Sequence, residues 1–258
     1  MELDPWLIAA LCAAALAAGW VDAVSGGGGL LQLPALLLTV PSDNPVQALG
    51  TNKLSSIMGT AAAARTYARR VRMDIATAAP MAGFAFLGAL FGATLATRVP
   101  AAAFRPVIVV LLIIVWLWTL LTPSMGAQTV LRFRGRVHHA IAIGSGLLIG
   151  FYDGILGPGT GSFLLIVLVA GLGYSFLQAS ATAKVVNLGT NAAALIVFGL
   201  TGSVLWLLGL AMGACNVVGA VLGARTALRR GSGFVRIVFL VIVGVLILRL
   251  GWEVFATM

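Results

Sequence analysis

Apolar residues run along this chain in blocks, and short polar stretches punctuate them. Five apolar segments fill each half: 6–24, 29–40, 45–67, 75–97 and 102–121, then 138–155, 161–174, 178–200, 204–227 and 236–254. Most approach the roughly 20 residues with which an α-helix crosses the hydrocarbon core of a bilayer. The second segment of each half is too short to cross. It follows a glycine-rich break, SGGGGLLQLP at 25–34 and GPGTGSF at 157–163. It therefore reads as one arm of a broken or re-entrant helix. Residues 122–137 link the halves. The pattern predicts an all-α integral membrane protein: one membrane domain over 1–258, multi-pass in the cell (inner) membrane, with the lipid bilayer as its solvent.

The two halves align without a gap at an offset of 131. GWVDAVSGGGG at 19–29 overlays GFYDGILGPGT at 150–160, and QALGTNK at 47–53 overlays QASATAK at 178–184. Gly88, Gly92, Arg98 and Arg105 overlay Gly219, Gly223, Arg229 and Arg236. Membrane composition matches Ala and Leu by chance, but not Asp, Lys, Gln and Arg. Internal repeats over 6–122 and 137–253 are expected, with about five helical segments each.

Arginine placement adds orientation. Arg65, Arg69, Arg70 and Arg72 crowd the loop after the third segment, whereas the equivalent loop near 200–203 has no charge. The linker carries Arg132, Arg134 and Arg136, and the loop at 225–236 carries Arg225, Arg229, Arg230 and Arg236. Positive loops stay in the cytoplasm. Both termini are then extracytoplasmic, each half crosses an odd number of times, and the repeats have inverted topology. Inverted repeats with broken helices are a common architecture of secondary transporters.

Composition narrows the class. Hydrophobic residues make up 60% of the chain and charged residues 9%, too few to cover a soluble surface. The net charge of +9 sits in loops between apolar spans, so it reads as a topology signal and not as a nucleic-acid surface. Cys12 and Cys215 lie in apolar segments with no CxxC or CxxH spacing, which indicates neither metal nor disulfide. No cofactor motif occurs: the glycine breaks lack the GK[ST] of a phosphate loop. The start, MELDPW, lacks the basic region of a cleavable signal. No nucleophile–base pair or HExxH lies in the spans, so no catalytic residue is expected.

The chain has two lysines, Lys53 and Lys184, at equivalent positions deep in apolar segments. A charge there costs about 2.5–3.5 kcal/mol on insertion scales and is normally paired or lines a cavity. Asp22 and Asp153, also equivalent, end the first segment of each half. Three roles are open to them: counter-ion to a lysine of the same or the opposite half, proton-carrying group, or cap of the broken helix. Lys184, Asn187 and Asn191 fall on one helical face, as do Lys53, Ser56 and Thr60. Thr51, Asn52, Thr182, Gln47 and Gln178 add hydrogen-bonding groups nearby. The breaks contribute Gly28, Gly29 and Gln32 in one half, and Gly159, Thr160, Gly161 and Ser162 in the other. Unwound backbone survives in a membrane only where protein buries it or it lines a cavity. Gly88 and Gly92 read as helix-packing positions. His138 and His139 are placed at the membrane interface.

At these motifs the chain resembles the TauE/SafE sulfite exporter family, also called the toluene sulfonate uptake permease family. The matching elements are GWVDAVSGGGGLLQLPAL at 19–36, TNKLSS at 51–56 and GFYDGILGPGTGSF at 150–163. The last is similar to the form found in a bacterial subgroup. The resemblance covers nearly the whole chain and implies transport of sulfur oxyanions and organosulfonates in either direction. The second break departs from the plain glycine run of the first, so the two half-sites need not bind alike. The residues agree in sign, because buried lysines with amides and hydroxyls favour a small anion. The expectation is a secondary transporter of such an anion, with Asp22 or Asp153 as the group for coupling to protons. An anion channel, an intramembrane enzyme and a non-transporting anchor subunit are the alternatives.

Overall fold

The computed structural model describes residues 4–38, 45–96, 113, 116, 117, 119–121 and 126–256. Eight helices are labelled in chain order: α1 Pro5–Ser25, α2 Gly29–Leu37, α3 Pro45–Ala68, α4 Ile75–Leu95, α5 Gly135–Ile155, α6 Thr160–Ile166, α7 Phe176–Leu200 and α8 Trp206–Ala256. A π-helical turn, Val167–Leu172, prolongs α6. No strand occurs among the described residues. The helices α1, α4 and α7 and the stretch Trp206–Val245 are long and apolar enough to cross a membrane. The predicted segment 102–121 lies largely outside the described residues.

Local chemistry sets the helix ends. Asp4 caps α1 by accepting from the Trp6 amide at 3.0 Å, with Pro5 in the first turn. Asp74 caps α4 through the Thr77 amide, and Ser175 caps α7 through the Gln178 amide. Such caps satisfy amides that have no partner inside the helix. The sequence predicts two helices after residue 204. The structure has both: Gly231, with φ 74° and ψ −173°, is non-helical and divides α8 into two helical arms.

The arginine-rich segments gather at one end of the bundle. Gln178 donates to the Arg72 carbonyl, Thr129 donates to Gln178, and the Leu177 amide donates to Ser232. Arg236 donates to the Thr119 carbonyl at 2.6 Å. The start of α3 and the start of α8 meet at the other end, where the Leu205 amide donates to Thr51 at 3.0 Å.

The short helices re-enter. Gly28 lies against the Ala18 carbonyl and Asp22, so the chain doubles back after α1. Leu33 and Leu36 of α2 then share a core with Leu11, Ala15, Ala48, Leu208 and Met212, toward the arginine-poor end. The second hairpin does the reverse. It leaves the arginine-rich end along α5 and returns along α6, so that Tyr174, just past the π turn, meets His138 near the start of α5.

Small residues let the helices touch backbone to backbone, as membrane packing favours. A Cβ on Gly88 or Gly92 would overlap the carbonyls of Leu147 or Phe151 on α5; one on Gly219 or Gly223 would overlap those of Leu16 or Trp20 on α1. These two sets of contacts map onto each other at the offset of 131.

Candidate functional site

The helices α3 and α7 pack together at the centre, and their polar stripes face the two hairpins. Lys53 and Lys184 are 2% and 1% exposed. Lys53 Nζ lies 2.7 Å from Asp153 Oδ2, and Lys184 Nζ donates to Asp22 Oδ2 at 2.7 Å. Each lysine therefore pairs with the aspartate of the opposite half. The pairs are related by the repeat offset: exchanging each residue for its equivalent turns one pair into the other. Removing one member of such a pair leaves an uncompensated buried charge, which is strongly destabilising.

Each aspartate is placed by the end of its helix. The Gly26 amide donates to the Asp22 carbonyl at 2.9 Å, and Gly26, at φ 82°, closes α1 in the left-handed conformation that glycine adopts without strain. The Asp22 side chain is then free to reach α7. Helix capping does not explain the aspartates. The N-caps of α2 and α6 are Gly28 and Gly159, and neither receives a side-chain cap.

The two glycine breaks abut. A Cβ on Gly26 would overlap the Gly161 backbone, so the chains approach more closely than any other residue pair permits. Ser162 donates to the Ser25 carbonyl at 3.2 Å, and Ser180 to the Val24 carbonyl at 3.1 Å. Two tyrosines that the sequence did not single out hold the hairpins. Tyr67 donates to the Ala23 carbonyl at 2.9 Å and Tyr152 to the Pro158 carbonyl at 2.7 Å. Tyr67 stands at the end of α3 between Arg65 and Arg69, and Tyr152 beside Asp153; neither position reveals its partner in the sequence.

Between the breaks and the stripes lies a cavity of about 20 Å³, room for about one water molecule. Asp22, Gly29, Asn52, Lys53, Ser56, Asp153, Gly159, Thr160, Gly161, Asn187 and Asn191 line it, together with Thr60, Gly26 and Gly157. The remaining sequence candidates stand behind this wall. Lys184 reaches it through Asp22. Thr51 accepts from Leu205, and Gln32 accepts from Asn216 at 2.8 Å. Thr182 is buried, Gly28 packs on α1, and Ser162 ties α6 to α1. Among the described residues no cluster of His, Cys, Asp or Glu could hold a metal ion.

The halves differ in one respect at the site. The Thr160 hydroxyl lies 2.6 Å from Asp153 Oδ1 and 2.7 Å from the Gly157 carbonyl, and its one proton goes to the charged carboxylate as the stronger acceptor. The equivalent residue is Gly29, so Asp22 lacks that partner. The Asp153 side chain is 3% exposed and that of Asp22 19%.

The histidines lie at the arginine-rich end. His139 faces outward, and His138 is buried at the start of α5, 2.9 Å from Thr77 Oγ1 and 3.1 Å from Tyr174 Oη. Tyr174 also donates to Asp74 Oδ2 at 2.7 Å. Burial pushes Asp74 up, but the hydrogen bonds from Tyr174 and Thr77 outweigh it and hold this carboxyl below the usual range. Burial and the neighbouring Asp74 push the Tyr174 hydroxyl up to about 12.

Residues 11–250 match the family model of the sulfite exporter TauE/SafE. A "probable membrane transporter protein ORF9" from a Sinorhizobium species is 38% identical over 245 residues, 95% of this chain and 92% of that one. A "probable membrane transporter protein" of Haemophilus influenzae is 34% identical over 92% of this chain and 91% of its own length. The "probable membrane transporter protein YfcA" of Escherichia coli K12 is 33% identical over 97% of this chain and 92% of its own. No solved structure matches the chain. With its spanning helices and polar core, the chain is thus a multi-pass membrane transporter, not an enzyme, and belongs to the sulfite exporter TauE/SafE family.

Proposed function

We propose that this transporter moves a small anion, sulfite, an organosulfonate or another sulfur oxyanion, by alternating access and with proton coupling. The observation that carries the reading is the pair of reciprocal ion bridges, Lys53–Asp153 and Lys184–Asp22, closing one polar cavity between two glycine breaks. Buried intramembrane charges mark substrate or ion pathways by default, and the family's name supplies the substrate class.

The halves 6–122 and 137–253 are read as inverted repeats. Contacts that exchange at a constant offset, and hairpins that enter from opposite ends, support this. The arginine-rich end is assigned to the cytoplasm by the positive-inside rule. A cavity of about 20 Å³ admits a water but not a sulfonate group, so the site must widen to take one. Movement of one half against the other would widen it toward one side at a time. The substrate would sit against the lysines, with Asn52, Ser56, Asn187, Asn191 and Thr160 as its hydrogen-bonding groups.

Uptake into proteoliposomes tests this. Sulfite, thiosulfate, methanesulfonate and taurine are compared with chloride and nitrate, with the wild type beside Lys53→Met and Lys184→Met. Saturable sulfur-anion uptake that both variants lose is expected. Equal flux of every anion without saturation would favour a channel, and near-normal uptake by both variants would return the lysines to a structural role.

A further inference from the structure

Two lysines and two aspartates cancel one another at the site, with Lys53, Asp22 and Asp153 in the cavity wall and Lys184 behind Asp22, so an anion arriving there finds no unpaired cation. One bridge must open, and the two bridges are not equivalent. Asp153 is held by Lys53 and by the Thr160 hydroxyl, and is 3% exposed. Asp22 is held by Lys184 alone among the described residues, has Gly29 where Asp153 has Thr160, and is 19% exposed.

Resting on the anion-transport reading above, we infer that Asp22 is the proton-coupling residue: it takes up a proton, releases Lys184 to bind the anion, and leaves Lys53–Asp153 as a fixed bridge. The charges balance. The Asp22 carboxylate accepts one proton and becomes a neutral carboxylic acid. Lys184 remains an ammonium and exchanges one anionic partner for another. The site's net charge is the same empty and loaded, so one proton travels with each monovalent anion in the same direction.

The groups facing Asp22 are few. Lys184 comes from α7, Lys53 and the Tyr67 hydroxyl from α3, and Asp153 from α5. The helices α2 and α6 have no titratable residue. Among the described residues no His or Glu lines the cavity.

The asymmetry supplies its own test. A Cβ on Gly29 would meet only Pro158 Cα at 3.5 Å and the Gly157 carbonyl at 3.9 Å, ordinary contact distances. Gly29→Thr therefore fits and would offer Asp22 the hydroxyl that Thr160 gives Asp153. A donor to the carboxylate favours the charged form, so proton uptake by Asp22 moves to lower pH, by about one unit.

The experiment is infrared difference spectroscopy on the full chain in liposomes, acid minus neutral, with uptake measured in parallel. Methanesulfonate is the probe, because its charge is constant over the pH range used. A protonated-carboxyl band is expected that survives Asp153→Asn, is lost in Asp22→Asn and moves to lower pH in Gly29→Thr. Adding methanesulfonate at fixed pH should raise the band, and the pH optimum of uptake should follow the Gly29→Thr shift. A band that persists in Asp22→Asn, or disappears in Asp153→Asn, overturns the assignment. So does methanesulfonate uptake that neither responds to pH nor raises the band. If no anion is transported and none moves a band that still belongs to Asp22, the substrate reading fails and the proton site stands.

Discussion

The side-chain amide of Asn191 donates to the hydroxyl of Thr60 at 3.5 Å, and the two residues stand 131 positions apart. They are each other's equivalents in the aligned halves. In the inverted-repeat reading, a contact between equivalents marks where a two-fold axis passes, and the cavity lies beside it. Lys53 and Lys184, seven residues before Thr60 and Asn191 on their helices, then reach across that axis to the opposite aspartates.

The bridges give a graded stability prediction. Lys53→Met leaves Asp153 buried and unpaired, and should cost about 3–5 kcal/mol. Lys184→Met leaves the more exposed Asp22 and should cost less. Adding Asp153→Asn to Lys53→Met should recover most of the loss without restoring transport. Thermal unfolding in detergent, read as a double-mutant cycle, checks this. Equal losses in the two single variants would contradict the asymmetry of the site.

The glycine breaks predict opposite tolerances a few residues apart. Gly26→Ala meets both a positive φ and the Gly161 backbone, so folded yield should collapse. Gly29→Ala has room and should leave folded yield near that of the wild type. Size-exclusion profiles of the purified variants decide it.

Topology follows from the arginine-rich end. With Cys12 and Cys215 replaced, a cysteine at Gln128 should be protected from an impermeant thiol reagent in intact cells, and a cysteine added at the C-terminus should be labelled. The reverse pattern would invert the assignment of sides.

Alternating access predicts anticorrelated exposure. Gln32 on α2 and Phe163 on α6 are equivalent positions on hairpins entering from opposite ends. Cysteines there should respond in opposite senses when substrate or a proton gradient biases the protein, because a ligand shifts populations only between states it binds unequally. Parallel labelling under every condition that supports flux would point to a channel.

At the arginine-rich end, Asp74 predicts a pH effect. Its folded-state pKa is depressed, so its contribution is complete above the unfolded value of about 3.9 and fades as pH falls through the lower folded value. Asp74→Asn keeps a capping oxygen but removes the negative charge at the start of α4, which should cost about 0.3–1 kcal/mol at neutral pH, and the cost should shrink below about pH 4. Thermal melts across pH measure it. A cost independent of pH down to the lowest value tested would contradict the assignment.

The sequence by itself determined the membrane class, most helix bounds, the candidate residues and the lysine–aspartate problem. Those follow from one-dimensional causes: apolar block length, breaks in helical pattern, and the cost of charge in lipid. Lys53 and Asp153 needed no contact map to be noticed, because a buried ion in a membrane is rare wherever it occurs. The direction of pairing was not legible. Asp22 could equally have met Lys53 of its own half, and only the packing of α1 beside α7 sends it to Lys184. The sequence showed that α2 and α6 are too short to cross but not how each hairpin turns back; the Gly28 contact with Ala18 settles that for α2, and the Tyr174 contact with His138 for α6. It also grouped Gln32 and Thr51 with the lysines, because proximity along a helix does not reveal which neighbour claims a hydrogen bond. Asn216 and Leu205 claim them here. Burial of His138 was hidden for the same reason: its partners Thr77 and Tyr174 come from elements far away in the chain, and only the closed bundle brings their hydroxyls to one ring nitrogen.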